Sequence, residues 1–322
     1  MVTLSRGFAE LADEFSLVAE AAEEAGKPGV RPRVRRSWVN VPTGGHVSGV
    51  IWGTGAPELV FLHDTGESAR AWDTVAVASG RAAVAIDLPG HGRSDWRRDA
   101  RYAPGRITPA VAEAIRSFAP RARLVVGTGL GGLTALALSR RHPGQVPGIV
   151  LVNTVPGTRA ARTRPGQGTE RFASREEAFA VLAARHPERA RQALRRQVLY
   201  ELVPDADAGT DPGTDAGTDP GGSWVWRHHP GNLPAPPDPG PSAGPDLACD
   251  ELAQLSVPVT LILSGEAGPL PAADLARLRQ RSPQINVVTI TGAGLDIAAT
   301  QPATLAAALD DVLAADDHKE ES

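Results

Sequence analysis

Cysteine is nearly absent from this 322-residue chain: Cys249 stands alone, so no disulfide can close within it. It lies beside a Pro/Gly-rich stretch without a neighbouring histidine, which makes it filler rather than a reactive thiol. Lysine is almost as scarce, with Lys27 and Lys319 alone, and the other cations are arginines. A net charge of -4 leaves no basic footprint for nucleic acid, and the cluster Arg31, Arg33, Arg35, Arg36 is short enough to be a solvated linker. No apolar run approaches the about 18 residues of a membrane span. Charged residues (Arg6, Glu10, Asp13, Glu14) interrupt any secretory core near the start, so a cytoplasmic location is expected. What remains, 42% hydrophobic and 22% charged residues, is the composition of a globular protein able to bury a large core.

Apolar residues Leu4, Phe8, Leu11, Phe15, Val18 and Ala22 recur at helical spacing and predict an amphipathic helix over residues 3–26, ended by Gly26 and Pro28. Its stripe can face its own domain or a protein partner. Short apolar runs then follow at 38–41, 47–52, 59–62 and 82–87, with helical sequence around 72–78 and 108–118. A strand at 124–128 feeds a glycine-rich turn and a small-residue helix running to about residue 141, and another strand covers 148–152. Two more strands, 257–263 and 285–290, flank a helix at 272–280, and a helix from residue 301 closes the pattern. Apolar strands alternating with helices define an α/β fold with a mostly parallel, doubly wound sheet of about eight strands.

The alternation breaks between residues 158 and 246. Ser174-Arg175-Glu176-Glu177 is a capping box that opens one helix, and an arginine-heavy helix covers 187–202. Residues 206–222 hold a degenerate repeat, GTDPGTDAGTDPG, too polar and too rich in Gly and Pro to bury a core. Its aspartates lack the glutamate of a calcium loop, so no metal site is expected. A Pro-rich segment at 234–245 leads back to the sheet. The expected organisation is a helix and linker (1–35), a first core part (36–157), an inserted helical cap (158–246), a second core part (247–316) and a tail (317–322).

Three stretches carry the chemistry. Gly127-Thr128-Gly129-Leu130-Gly131 follows a strand and opens a helix; Asp87-Leu88-Pro89-Gly90-His91-Gly92-Arg93-Ser94 follows another; His63-Asp64-Thr65-Gly66 ends a third. With Trp224-Val225-Trp226-Arg227 and Gly292-Ala293-Gly294, these resemble the α/β-hydrolase superfamily, in its bacterial branch with a helical cap, over residues 36–316. The resemblance implies an α/β-hydrolase fold and a triad of elbow serine, late acid and final histidine. The motifs align those positions with Gly129, Gly268 and Leu295. Thr128 is one residue from the apex, Glu266 is a displaced acid, and Asn153 is uncharged. His63 and His91 belong to loop-bracing positions, whereas His228 and His229 follow the cap and could overhang a pocket as a displaced base.

By the same resemblance, the oxyanion-hole amides are those of Thr65 and Leu130, and Asp64 opposes an oxyanion if it points inward. The expectation is therefore an α/β-hydrolase-like protein that has lost hydrolysis, a pseudoenzyme with a degenerate triad. It would bind a small apolar or anionic ligand in a pocket of His63, Asp64, Thr65, Gly129, Leu130 and Leu295, or a protein partner through the N-terminal helix, with no cofactor. The alternative is an active hydrolase of esters or other small acyl or C–C substrates that uses a non-standard base.

Overall fold

In the computed structural model, residues 13–157, 170–205, 223–230, 252–265 and 268–320 are described. An eight-stranded sheet forms the centre. Its strands are β1 (Val34–Asn40), β2 (His46–Trp52), β3 (Leu59–Leu62), β4 (Ala83–Ile86), β5 (Leu124–Thr128), β6 (Ile149–Val152), β10 (Val259–Ser264) and β11 (Asn286–Ile290). They lie in the order β1-β2-β4-β3-β5-β6-β10-β11. Two antiparallel pairings, β1 with β2 and β2 with β4, make one edge, and every other neighbour is parallel.

The continuous apolar runs are explained by burial on both faces. Along β3, Val60 and Leu62 join one core cluster while Leu59 and Phe61 join the other. Helices α3 (Pro104–Phe118) and α4 (Leu130–Arg141) contribute Ile107, Val111, Ile115, Leu136 and Leu138 to the first cluster. The second receives Val75 and Val77 of α2 (Asp73–Ser79) and Leu305, Leu309 and Leu313 of α7 (Pro302–Glu320).

The insertion has its own small core. Helix α5 (Arg175–Arg185) starts at Ser174, whose side chain accepts from the Glu177 amide, as the capping box predicts. The Glu177 carboxylate turns back to the Ala173 amide at 2.6 Å instead of to Ser174. Leu182 of α5 and Leu194 and Val198 of α6 (Arg191–Glu201) pack on Phe172, Trp224 and Trp226. Those aromatic residues lie on β7 (Arg171–Phe172) and β9 (Trp224–Trp226). With β8 (Leu202–Pro204) these strands form a three-stranded antiparallel sheet, which the sequence reading of the cap did not include. Strands of two or three residues carry too little periodicity to be read from sequence. The repeat at 206–222 and the Pro-rich segment at 234–245 lie outside the described residues.

At the N-terminus the described helix is α1 (Val18–Glu24), shorter than the predicted 3–26, whose first residues lie outside the described part. Val18 and Ala22 join the core cluster that includes α2. Glu20 pairs with Arg195 of α6 at 3.3 Å, and Glu24 pairs with Arg196. The described part of the helix thus ties core to cap within one chain, with Val18 and Ala22 covered.

Candidate active site

Three chain crossings build the site. Gly129 ends the turn after β5 with φ 49° and ψ −117°, angles that favour glycine. The turn is packed tightly enough that a side chain at Gly131 would run into the Leu62 carbonyl. That closeness brings α4 against the end of β3, where the Gly131 amide donates to the His63 carbonyl at 3.0 Å.

Asp64 points inward. Its Oδ1 accepts from the Leu130 amide at 2.8 Å and from the Thr65 amide at 2.7 Å. The two amides expected to form an oxyanion hole therefore converge on a single oxygen atom, and that atom belongs to the chain itself. A side chain on residue 129 would fall within the Asp64 carboxylate, so glycine at the apex and aspartate at the loop are sterically complementary. An anion at the N-terminus of α4 is also favoured by the helix dipole and its unsatisfied amides. The loop is braced from behind, since Glu67 accepts from the Asp64 amide at 3.2 Å.

His63 has a fixed tautomer. Nδ1–H donates to the Asp64 carbonyl at 2.7 Å, and Nε2 accepts from the Leu88 amide at 3.0 Å. Burial lowers its pKa and keeps it neutral. The ring braces the loops after β3 and β4. His91 packs edge-on to it, with ring centres 4.9 Å apart, and His228 lies 6.1 Å beyond His91. His229 is set against Trp96 and Tyr102. The two cap histidines thus meet the His91 loop and its surroundings. Asp87 anchors the same region. Burial pushes its carboxyl up, but Arg36 at 2.6 Å and amides from Ala69 and Arg93 outweigh that and hold it low.

Sequence reasoning missed the part played by Asn153. At φ 43° it turns the chain after β6, an angle that asparagine tolerates. Its Nδ2 donates to Ser264 Oγ at 2.9 Å and to the Leu295 carbonyl at 2.7 Å, while Oδ1 accepts from the Ser264 amide at 2.8 Å. One side chain therefore joins the ends of β6 and β10 to the loop after β11. Leu295 is held by its backbone and is 62% exposed. Gly268 is close to the end of β10, where a Cβ would lie 2.5 Å from the Ser264 carbonyl. Glu266 lies outside the described residues. Of the six expected pocket residues, Asp64, Thr65, Gly129 and Leu130 come together, whereas His63 and Leu295 do not join them. Among the described residues no cluster could hold a metal ion.

The comparisons with known proteins agree with this fold. The sequence model of the alpha/beta hydrolase family matches residues 59–308, and the chain belongs to that family. It is 35% identical to the esterase Rv0045c of Mycobacterium tuberculosis over 304 residues, 91% of this chain and 93% of that one. A crystal structure of that esterase superposes with a TM-score of 0.74 at 34% identity, covering 94% of this chain and 98% of the other. The pimeloyl-[acyl-carrier protein] methyl ester esterase of Klebsiella pneumoniae is 32% identical over 178 residues, 49% of this chain and 67% of its own length. A thioesterase domain from the curacin biosynthetic pathway shares the fold at 19% identity, with a TM-score of 0.66 over 85% of this chain and 98% of that domain.

These relatives overturn the expectation of lost hydrolysis. A chain matched across nine-tenths of its length to an esterase stands with hydrolases, so the pseudoenzyme and degenerate-triad reading is withdrawn. At the elbow itself, the Asp64 carboxylate fills the space that a side chain on residue 129 would occupy.

Proposed function

We propose that the chain hydrolyses a carboxylic ester of a small acyl group, with the Asp64 carboxylate as the non-standard base that activates water. The observation that carries this is the seating of Asp64 at the elbow, at the N-terminus of α4, held by the Leu130 and Thr65 amides. A carboxylate so placed takes a proton from a water whose oxygen bonds to the acyl carbon; the ester C–O bond then breaks and the proton passes to the leaving alkoxide. Proton uptake also neutralises Asp64. Hydrogen bonds to a charged acceptor are roughly twice as strong as neutral ones, so both amides are then released toward the developing oxyanion. The relationship to an esterase supports the reaction class, and a cytoplasmic location belongs to the same reading.

The experiment is hydrolysis of nitrophenyl butyrate by the native chain and by Asp64→Asn. A fall in kcat of about 100-fold or more is expected on removing the base. Single turnover in 18O-labelled water adds a second readout: label in the product acid and none in Asp64 is expected for water activation. Undiminished turnover by Asp64→Asn overturns the role of Asp64. No turnover by the native chain with any short acyl ester overturns the function.

A further inference from the structure

The backbone amides that open α4 each have a different partner. Leu130 donates to Asp64 Oδ1 at 2.8 Å, and Gly131 donates to the His63 carbonyl at 3.0 Å. Gly129, one residue earlier, donates at 2.7 Å to the hydroxyl oxygen of Thr154. Thr154 lies just past the end of β6, the parallel neighbour of β5. Its hydroxyl in turn donates to the Val152 carbonyl at 2.9 Å, so it both gives and accepts. The left-handed turn at Asn153 stands between Val152 and Thr154 and folds the threonine back toward the elbow. Thr154 is fully buried, and its methyl group packs on Gly132, where a Cβ would lie 2.8 Å from it. The Asn153 side chain is spent elsewhere, on Ser264 and the Leu295 carbonyl.

Glycine suits the apex because it adopts φ 49° freely, and the same freedom means that its own torsions hold it weakly. Those torsions set the direction of the Leu130 N–H, which seats the Asp64 carboxylate. The peptide groups on either side of Gly129 must therefore be fixed by their partners. The Gly129 carbonyl accepts from the Leu133 amide at 3.0 Å as the first bond of the helix, and the Gly129 amide is held by Thr154. A buried amide that loses its acceptor carries an uncompensated desolvation penalty, so removal of the hydroxyl gives this peptide reason to turn.

We propose that Thr154 is a positioning residue for the hydrolytic reaction. Its hydroxyl fixes the Gly129 amide, the fixed elbow aims the Leu130 amide, and that amide seats the Asp64 carboxylate. Thr154 acts through the elbow backbone. The inference rests on the reading of Asp64 as the base, and it adds what keeps an apex without a side chain in one geometry.

The test compares Thr154→Val, which keeps the shape and removes the hydroxyl, with Thr154→Ser, which keeps the hydroxyl and removes the methyl group. With nitrophenyl butyrate, Thr154→Val should lower kcat about tenfold while KM stays within about twofold of native, because the loss falls on the base and not on binding. Thr154→Ser should retain kcat within about threefold of native. Thr154→Cys, whose sulfur is a weak acceptor, should fall between them and replaces the valine variant if that does not fold. In the Asp64→Asn background, Thr154→Val should lower kcat by less than about twofold more, since residues acting as a unit are not additive. The Leu130 amide proton gives a readout without turnover: its NMR resonance should move in Thr154→Val and stay in place in Thr154→Ser. Native kcat in Thr154→Val, equal losses in the serine and valine variants, or an unmoved Leu130 resonance each overturn the proposal. So does a full tenfold loss that persists in the Asp64→Asn background. Undiminished turnover by Asp64→Asn alone is the separate outcome that ends the reading of Asp64.

Discussion

Asp64 and Leu130, 66 residues apart, meet where the Asp64 Oδ1 accepts the first amide of α4 at 2.8 Å, in space that any side chain on the intervening elbow residue Gly129 would occupy. Loop carboxylate and apex glycine are therefore one unit.

Gly129→Ser should accordingly destabilise the chain. Serine must accept φ 49° and displace Asp64, and the backbone strain alone is worth about 1–3 kcal/mol. A lowered melting temperature is expected, partly restored in the double variant Gly129→Ser with Asp64→Gly. A single variant that melts at or above the native temperature contradicts this relationship.

The two ion pairs between α1 and the cap should differ in worth. Arg196 is only 6% exposed at its side chain, so Glu24→Ala strands a buried cation and should cost about 3–5 kcal/mol. Arg195 and Glu20 are 16% and 22% exposed, and Glu20→Ala should cost about 1 kcal/mol or less. Chemical denaturation of both variants checks the order, and equal losses would show that α1 is held by its apolar face alone.

Stability should fall with rising pH through the range set by Glu201. Burial raises its folded pKa to about 7, above the ordinary glutamate value of 4.5, so the folded state binds the extra proton between them. The unfolded chain binds fewer protons there, hence unfolding free energy decreases from about pH 4.5 to pH 7 and is level above that, by on the order of 3 kcal/mol in all. Asp73, raised to about 6 chiefly by burial, acts in the same direction at lower pH. Melting curves of native chain and Glu201→Gln across pH 5–8 should converge at the acid end and separate as pH rises, the variant being the more stable. A constant separation removes Glu201 from the account.

Asn153→Ala should loosen the junction of β6, β10 and the Leu295 loop. It leaves the Ser264 amide and the Leu295 carbonyl without their partner and places alanine at φ 43°, together about 2–4 kcal/mol. Hydrogen exchange should rise at Ser264. Protection equal to the native chain's would mean that other contacts hold the junction.

The layout of the fold was legible in local sequence because it depends on local properties. Short apolar runs bounded by turn residues, such as Leu59–Leu62, read as strands buried on both faces, and the glycines around residue 129 mark a turn that admits no side chains. Short cap strands escaped, as two or three residues show no period. The site was half legible. The Thr65 and Leu130 amides meet on Asp64 Oδ1, since backbone amides follow from the turn itself. The sequence also contained Asp64 without showing where its carboxylate goes.

Only the tertiary structure decided that Asp64 turns inward, that His63 braces Leu88, and that Thr154 reaches the Gly129 amide. The physical reason is that orientation and desolvation belong to the packed chain. A carboxylate on a loop faces water or an amide according to what else fills the space, and here an absent side chain at residue 129 leaves that space to Asp64.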